Sequence, residues 1–265
     1  MPPRWRRKTF LPLPLANFPD HPRFATLQPT DFWRKAEAMT KPPDARPDPQ
    51  TSPSALPAPR RRVTAVLGLI LICCLIEFTL TLSDHGLIGP SHLRGLAYQN
   101  GGFWTGLLHN WQPNFALQPV TMFFTYAFLH AGLLHLSMNM ITLWSIGLAI
   151  TDRVGQWRFL LIYLVSLLGG AIAFGLLSSA LRPMVGASGA LFGLVGAWLA
   201  WETIERLAER ARLRPVLWSV FWLTMLNVVL WWITGGQLAW ETHLGGALAG
   251  ALVALVIRPA DLATG

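Results

Sequence analysis

Six runs of mostly apolar residues constrain this chain more than any other feature. They fall at Val63–Leu82, Leu133–Ile150, Phe159–Leu177, Gly186–Trp201, Val216–Ile233 and Thr242–Ile257. A helix of about 20 residues crosses a hydrocarbon core of about 30 Å. In lipid every backbone polar group has to be satisfied within its own segment, so the runs read as helices and not strands. The expected fold is all-α, a polytopic bundle of six transmembrane helices. Charged residues are only 13% of the chain, against about 25% in an ordinary soluble domain. That balance excludes a disordered chain and argues against a soluble enzyme.

The formal net charge of +8 is unevenly placed. Residues 1–62 hold 12 Lys/Arg against 5 Asp/Glu, and residues 63–265 hold 9 against 8. The first segment, 1–62, is expected to be a flexible, Pro-rich basic cytoplasmic tail. Its final Arg60-Arg61-Arg62 would lie against anionic lipid. Thr30–Met39 is its one candidate helix. Its acids and prolines argue against a transit peptide, and no apolar run follows the first arginines as in a secretory signal. Residues 63–257 carry no basic face, so no nucleic-acid partner is expected. The adjacent Cys73 and Cys74 have neither disulfide nor zinc spacing and read as packing residues. No metal and no cofactor is expected.

With the N-terminus cytoplasmic, 19 Lys/Arg fall inside and only Arg94 and Arg182 outside. Both termini are therefore expected inside, with 258–265 a short cytoplasmic tail. The outer connection Ser83–Gly132 is long, and its aromatic stretch Phe103–Trp111 is expected in the membrane interface.

A polar side chain inside a membrane is costly and asks for a reason. Segment two carries His135 and Asn139, with His130 just before it; segment four carries Ser188, and segment six His243. Segments two, four and six run in one direction, from outside to inside, so these groups lie at a similar depth. His135 and Asn139, four residues apart, share a helix face. His130, about 140° round the same helix, is expected to point elsewhere. Gly189–Gly193 and Gly246–Gly250 are GxxxG pairs that let segments four and six approach closely. Ser188 then has a base in His243. Glu241, two residues from His243, faces away, which leaves a Ser–His dyad. His135, Asn139 and the Ser188 backbone N–H would supply oxyanion donors. Segment four has sixteen residues, about 24 Å of helix, so its start is expected within the membrane with Ser178–Val185 dipping inward. Glu77 is expected to make a neutral interior hydrogen bond. Trp198, Trp201, Trp231 and Trp232 are expected at interfaces and against lipid.

His130-x4-His135-x3-Asn139, Gly186-Ala187-Ser188-Gly189 and His243-Leu244-Gly245-Gly246 resemble the signature elements of rhomboid intramembrane serine proteases, in that family's order. The resemblance covers about Val63–Ile257. It implies a rhomboid-like membrane domain with Ser188 as nucleophile, His243 as general base, and His135 and Asn139 as oxyanion donors. His130, Gly186, Gly189 and Phe192 would support them. It implies hydrolysis of peptide bonds in or near transmembrane segments of membrane-protein substrates, with those proteins and the lipid bilayer as partners. The expected setting is a bacterial plasma membrane. A catalytically silent relative that binds transmembrane segments is the alternative; a transporter, which would place several acids or arginines along its helices, comes third. The sequence departs from the family in two places. No Trp-Arg pair occurs between Gln118 and Tyr126, and Phe192 stands where a Tyr is common.

Overall fold

The structure, a computed structural model, describes residues 63–259. The tail over 1–62, its candidate helix Thr30–Met39 and residues 260–265 lie outside the described residues. Helices α1 (Thr64–Asp84), α2 (Leu93–Gly101), α3 (Gln118–Thr125), α4 (Leu133–Val154), α5 (Gln156–Leu177), α6 (Ser188–Ala208), α7 (Arg214–Ile233) and α8 (Trp240–Val256) follow in order. The six long helices coincide with the six apolar runs. α1, α4, α5 and α7 are long and apolar enough to cross a membrane, and α8 is a shorter apolar helix.

α6 departs from expectation. It does not stop at Trp201 but continues to Ala208, 21 residues, about 31 Å. Its last turns are polar yet paired. Arg206 Nε donates to Glu202 Oε1 at 2.6 Å, and Glu205 forms an ion pair with Arg153 of α4. The helix outruns its apolar stretch, which still ends at Trp201.

α8 packs along α6 and α5. The approach is set by backbone: a Cβ on Gly246 would collide with the Gly189 carbonyl oxygen, and one on Gly250 with that of Gly193. Both expected GxxxG pairs therefore face each other. α7 stands apart, with Val216 its one buried residue.

Between α1 and α4 the chain folds back as a small outer layer. Phe103, expected in the interface, is instead core. Its ring meets those of Phe123, Tyr126 and Phe174 edge-on, at 4.9, 6.2 and 5.9 Å. Only the far end of that aromatic stretch, Leu108–Trp111, is exposed. Phe103 and Met184 exchange two backbone hydrogen bonds, 3.0 and 2.9 Å. Two residues on, Gly186 N donates to Tyr126 O at 2.9 Å. The end of the irregular stretch ahead of α6 is thus held by backbone pairing. Trp201 is also core and not interfacial; its indole N–H is shared between the carbonyls of Ala254 and Ile257, each at 3.0 Å.

Glu77 has a stronger partner than the neutral hydrogen bond expected of it. Arg94 of α2 donates Nη2 to its Oε1 at 2.9 Å and Nη1 to its Oε2 at 3.0 Å. Arg94 also reaches Asp84 at 2.6 Å and, with the Tyr98 hydroxyl, the His130 carbonyl, at 3.0 and 2.6 Å. Burial alone would lower the Arg94 pKa; hydrogen bonds to Glu77, Tyr98 and Asp84 outweigh it and raise the guanidinium above its ordinary value. These contacts tie the outer layer to α1 and to the chain entering α4, where Gln118–Tyr126 holds no Trp-Arg pair. Glu77 is fully buried, so removing Arg94 strands a carboxylate. Arg94→Ala is expected to cost about 3–5 kcal/mol, read as a lower thermal midpoint in detergent. Adding Glu77→Gln should recover part of it. An unchanged midpoint for Arg94→Ala would contradict this account.

Candidate active site

Ser188 is the first residue of α6 and His243 lies in the first turn of α8. Because α6 and α8 run in the same direction in close contact, these two first turns meet. His243 Nε2 lies 2.8 Å from Ser188 Oγ. Phe192, one turn beyond Ser188, stacks on the imidazole with ring centroids 4.2 Å apart and planes 7° from parallel. The stack is made by the ring alone and needs no hydroxyl. On its other edge His243 Nδ1 lies 2.5 Å from Asn227 Oδ1 of α7.

The first two turns of α4 supply the facing wall. Gly186 has φ +123°, a conformation L side chains rarely adopt. A Cβ there would sit 2.7 Å from His135 Cε1, 2.9 Å from its Nε2 and 3.7 Å from Asn139 Nδ2. His135 and Asn139 therefore share a face, as expected, and both border the backbone two residues ahead of Ser188. His135 Nδ1 accepts the Ala131 N–H at 3.2 Å, which leaves Nε2 as the protonated nitrogen of the neutral ring. Asn139 Nδ2 is buried with no hydrogen-bond partner. The first backbone N–H groups of α6 have no carbonyl four residues back within the helix.

His130 does not point elsewhere. It precedes α4, so the helical angle does not apply to it. Its buried ring packs edge-on against His135, centroids 5.3 Å apart. Glu241 does face away, lining a separate cleft with Ser178 and Arg182. Asn227 was not anticipated, although a lone Asn in the apolar run Val216–Ile233 is the same costly signal that singled out the other polar groups. An apolar cavity of about 370 Å³ between α6, α7 and α8 ends at His243, Phe192 and Asn227. A hydroxyl beside an imidazole nitrogen, with spare N–H donors close by, is a constellation suited to acyl transfer.

Comparison with known proteins bears on the same part of the chain. Residues 118–260 match the family model described as the Rhomboid domain. Among similar proteins, RHOMBOID-like protein 5 of Arabidopsis thaliana is 37% identical over 134 residues, 49% of this chain and 42% of that protein. Rhomboid protease GluP of Bacillus subtilis is 33% identical over 129 residues, 49% of this chain and 24% of the relative. Rhomboid protease GlpG of Serratia proteamaculans is 32% identical over 133 residues, 49% and 45%. The match covers less than half the length of each. Relatives also include a mitochondrial rhomboid protein of Saccharomyces cerevisiae. The likeness therefore supports a multi-pass membrane protein and does not single out a bacterial membrane.

Proposed function

The chain belongs to the rhomboid family, and on that footing we propose that it is an intramembrane serine endopeptidase that cleaves peptide bonds in or near transmembrane segments of membrane proteins. The observation that carries this reading is the 2.8 Å contact between Ser188 Oγ and His243 Nε2. A silent, segment-binding relative has no use for that pair.

Ser188 Oγ attacks the scissile carbonyl carbon while its proton passes to His243 Nε2. The carbonyl electron pair moves onto oxygen. His135 Nε2–H, Asn139 Nδ2–H and the Ser188 backbone N–H donate to that oxyanion. Collapse breaks the C–N bond, and His243 hands its proton to the departing amine. Water then adds to the acyl-enzyme with His243 again as base, which releases the acid product and restores Ser188. Phe192 holds the imidazole plane; Gly186 and Gly189 keep the site free of side chains that would block the donors or part the helices. His130 backs the His135 ring. The substrates come from the bilayer, and the Lys/Arg bias supports a cytoplasmic side for both ends of the membrane domain.

Asn139→Ala is expected to lower kcat about 10²–10³-fold against a purified single-span reporter in proteoliposomes, with the cleavage site mapped by mass spectrometry. A kcat within twofold of wild type would remove Asn139 from the oxyanion role.

A further inference from the structure

Asn227 lies on α7, amid apolar neighbours, half-buried beside the cavity that ends at His243. Its amide is oriented by its own helix: Nδ2 donates to the Leu223 carbonyl at 2.9 Å. That leaves Oδ1, an acceptor only, 2.5 Å from His243 Nδ1. An acceptor at that distance requires a proton on Nδ1. A neutral imidazole with its proton on Nδ1 has its lone pair on Nε2, the nitrogen 2.8 Å from Ser188 Oγ. The chain of hydrogen bonds from Leu223 to Ser188 thus has one self-consistent direction.

Resting on the proposed role of His243 as general base, we propose that Asn227 is its positioning residue, making the site a Ser188–His243–Asn227 relay whose third member comes from α7. The amide oxygen selects the tautomer that can accept the Ser188 proton. Once His243 has taken that proton, the same Nδ1–H···Oδ1 bond becomes charge-assisted and stronger. Asn227 touches neither substrate nor reacting atoms; it acts through the imidazole.

The elements around His243 define what else can titrate there. α6 presents Ser188 and Phe192, α5 presents Gly169 and Gly170 to that turn, and α7 presents Asn227. Among the described residues, His135 of α4 is the other titratable side chain coupled to His243, and it is common to every variant below. Glu241, on the same helix, faces the other cleft.

The probe is a fluorophosphonate, with its labelling rate of the purified full chain followed across pH 5–9. Asn227→Leu removes the acceptor at similar size. Its labelling rate at pH 7 is expected to fall about ten- to a hundredfold, with the probe's half-saturating concentration unchanged. Asn227→Asp keeps the acceptor and adds charge, so it should label readily, with the acid limb of its profile moved to higher pH because a carboxylate favours the imidazolium. A merely structural Asn227 would lower the thermal midpoint and leave that limb in place. Wild-type labelling by Asn227→Leu, or an Asn227→Asp limb coincident with wild type, would overturn the proposal while leaving the Ser188 assignment standing. If Asn227→Leu fails to fold, the Asn227→Asp limb decides alone. A wild-type chain that does not label at Ser188 would overturn both.

Discussion

Ser188→Ala is expected to abolish cleavage of a membrane-spanning substrate, a fall of about 10⁴-fold or more to the floor of the assay. The thermal midpoint should not move. The change removes a single oxygen at the head of α6, and the small-residue contacts that join α6 to α8 belong to Gly189 and Gly193. His243 loses a hydrogen-bond partner but keeps Asn227 and the Phe192 stack. The comparison to make is kcat on a reconstituted single-span reporter beside a melting curve of the same preparation. Cleavage near the wild-type rate would end Ser188's candidacy as nucleophile. A collapsed midpoint would mean that the hydroxyl is structural.

The second large effect is expected from Gly246→Val. Any Cβ at 246 meets the Gly189 backbone carbonyl, and backbone cannot rotate out of the way as a side chain would. α6 and α8 would have to part. Overpacking of this kind costs about 1–3 kcal/mol, often more where helix backbones touch. Activity should suffer further, because these two helices carry Ser188 and His243, and a displacement of about 1 Å in a reacting pair costs about 10²-fold. Gly68→Ala, in α1 with open space around it, is the matched control and should leave both midpoint and rate near wild type. A Gly246→Val protein that melts and cleaves like wild type would show that the helices do not depend on this contact.

The parts of the molecule that could be read from sequence are those governed by local periodicity. Apolar run length located the six long helices to within a few residues at most ends. The parity of the segments brought Ser188, His243 and His135 to one end of the bundle. Helical spacing pairs His135 with Asn139, whereas Phe192 beside the site follows only from the family resemblance. Small-residue spacing anticipated the α6–α8 contact. The misses share a different cause. Glu202, Glu205 and Arg206 are polar, so hydropathy cut α6 at Trp201, although i, i+4 and interhelical pairing carry it on to Ala208. A helical angle misplaces His130, because the helix begins only at Leu133. Phe103 and Trp201 are aromatic in both settings, and only tertiary contact tells an interface ring from a core ring. Glu77 and Arg94 meet across an irregular outer layer that no periodicity describes. Asn227 pairs with a residue on the next helix, so its partner is invisible until α7 and α8 are placed together.

The central claim is that His243 makes Ser188 nucleophilic, and fluorophosphonate labelling of the purified chain tests it most directly. Labelling mapped to Ser188 should rise with pH as the imidazole loses its proton and becomes able to accept that of the serine. His243→Ala should remove labelling as completely as Ser188→Ala, since an unassisted serine hydroxyl is a poor nucleophile. Labelling of His243→Ala at the wild-type rate at pH 7 would contradict the account, as would a wild-type chain that never labels at Ser188.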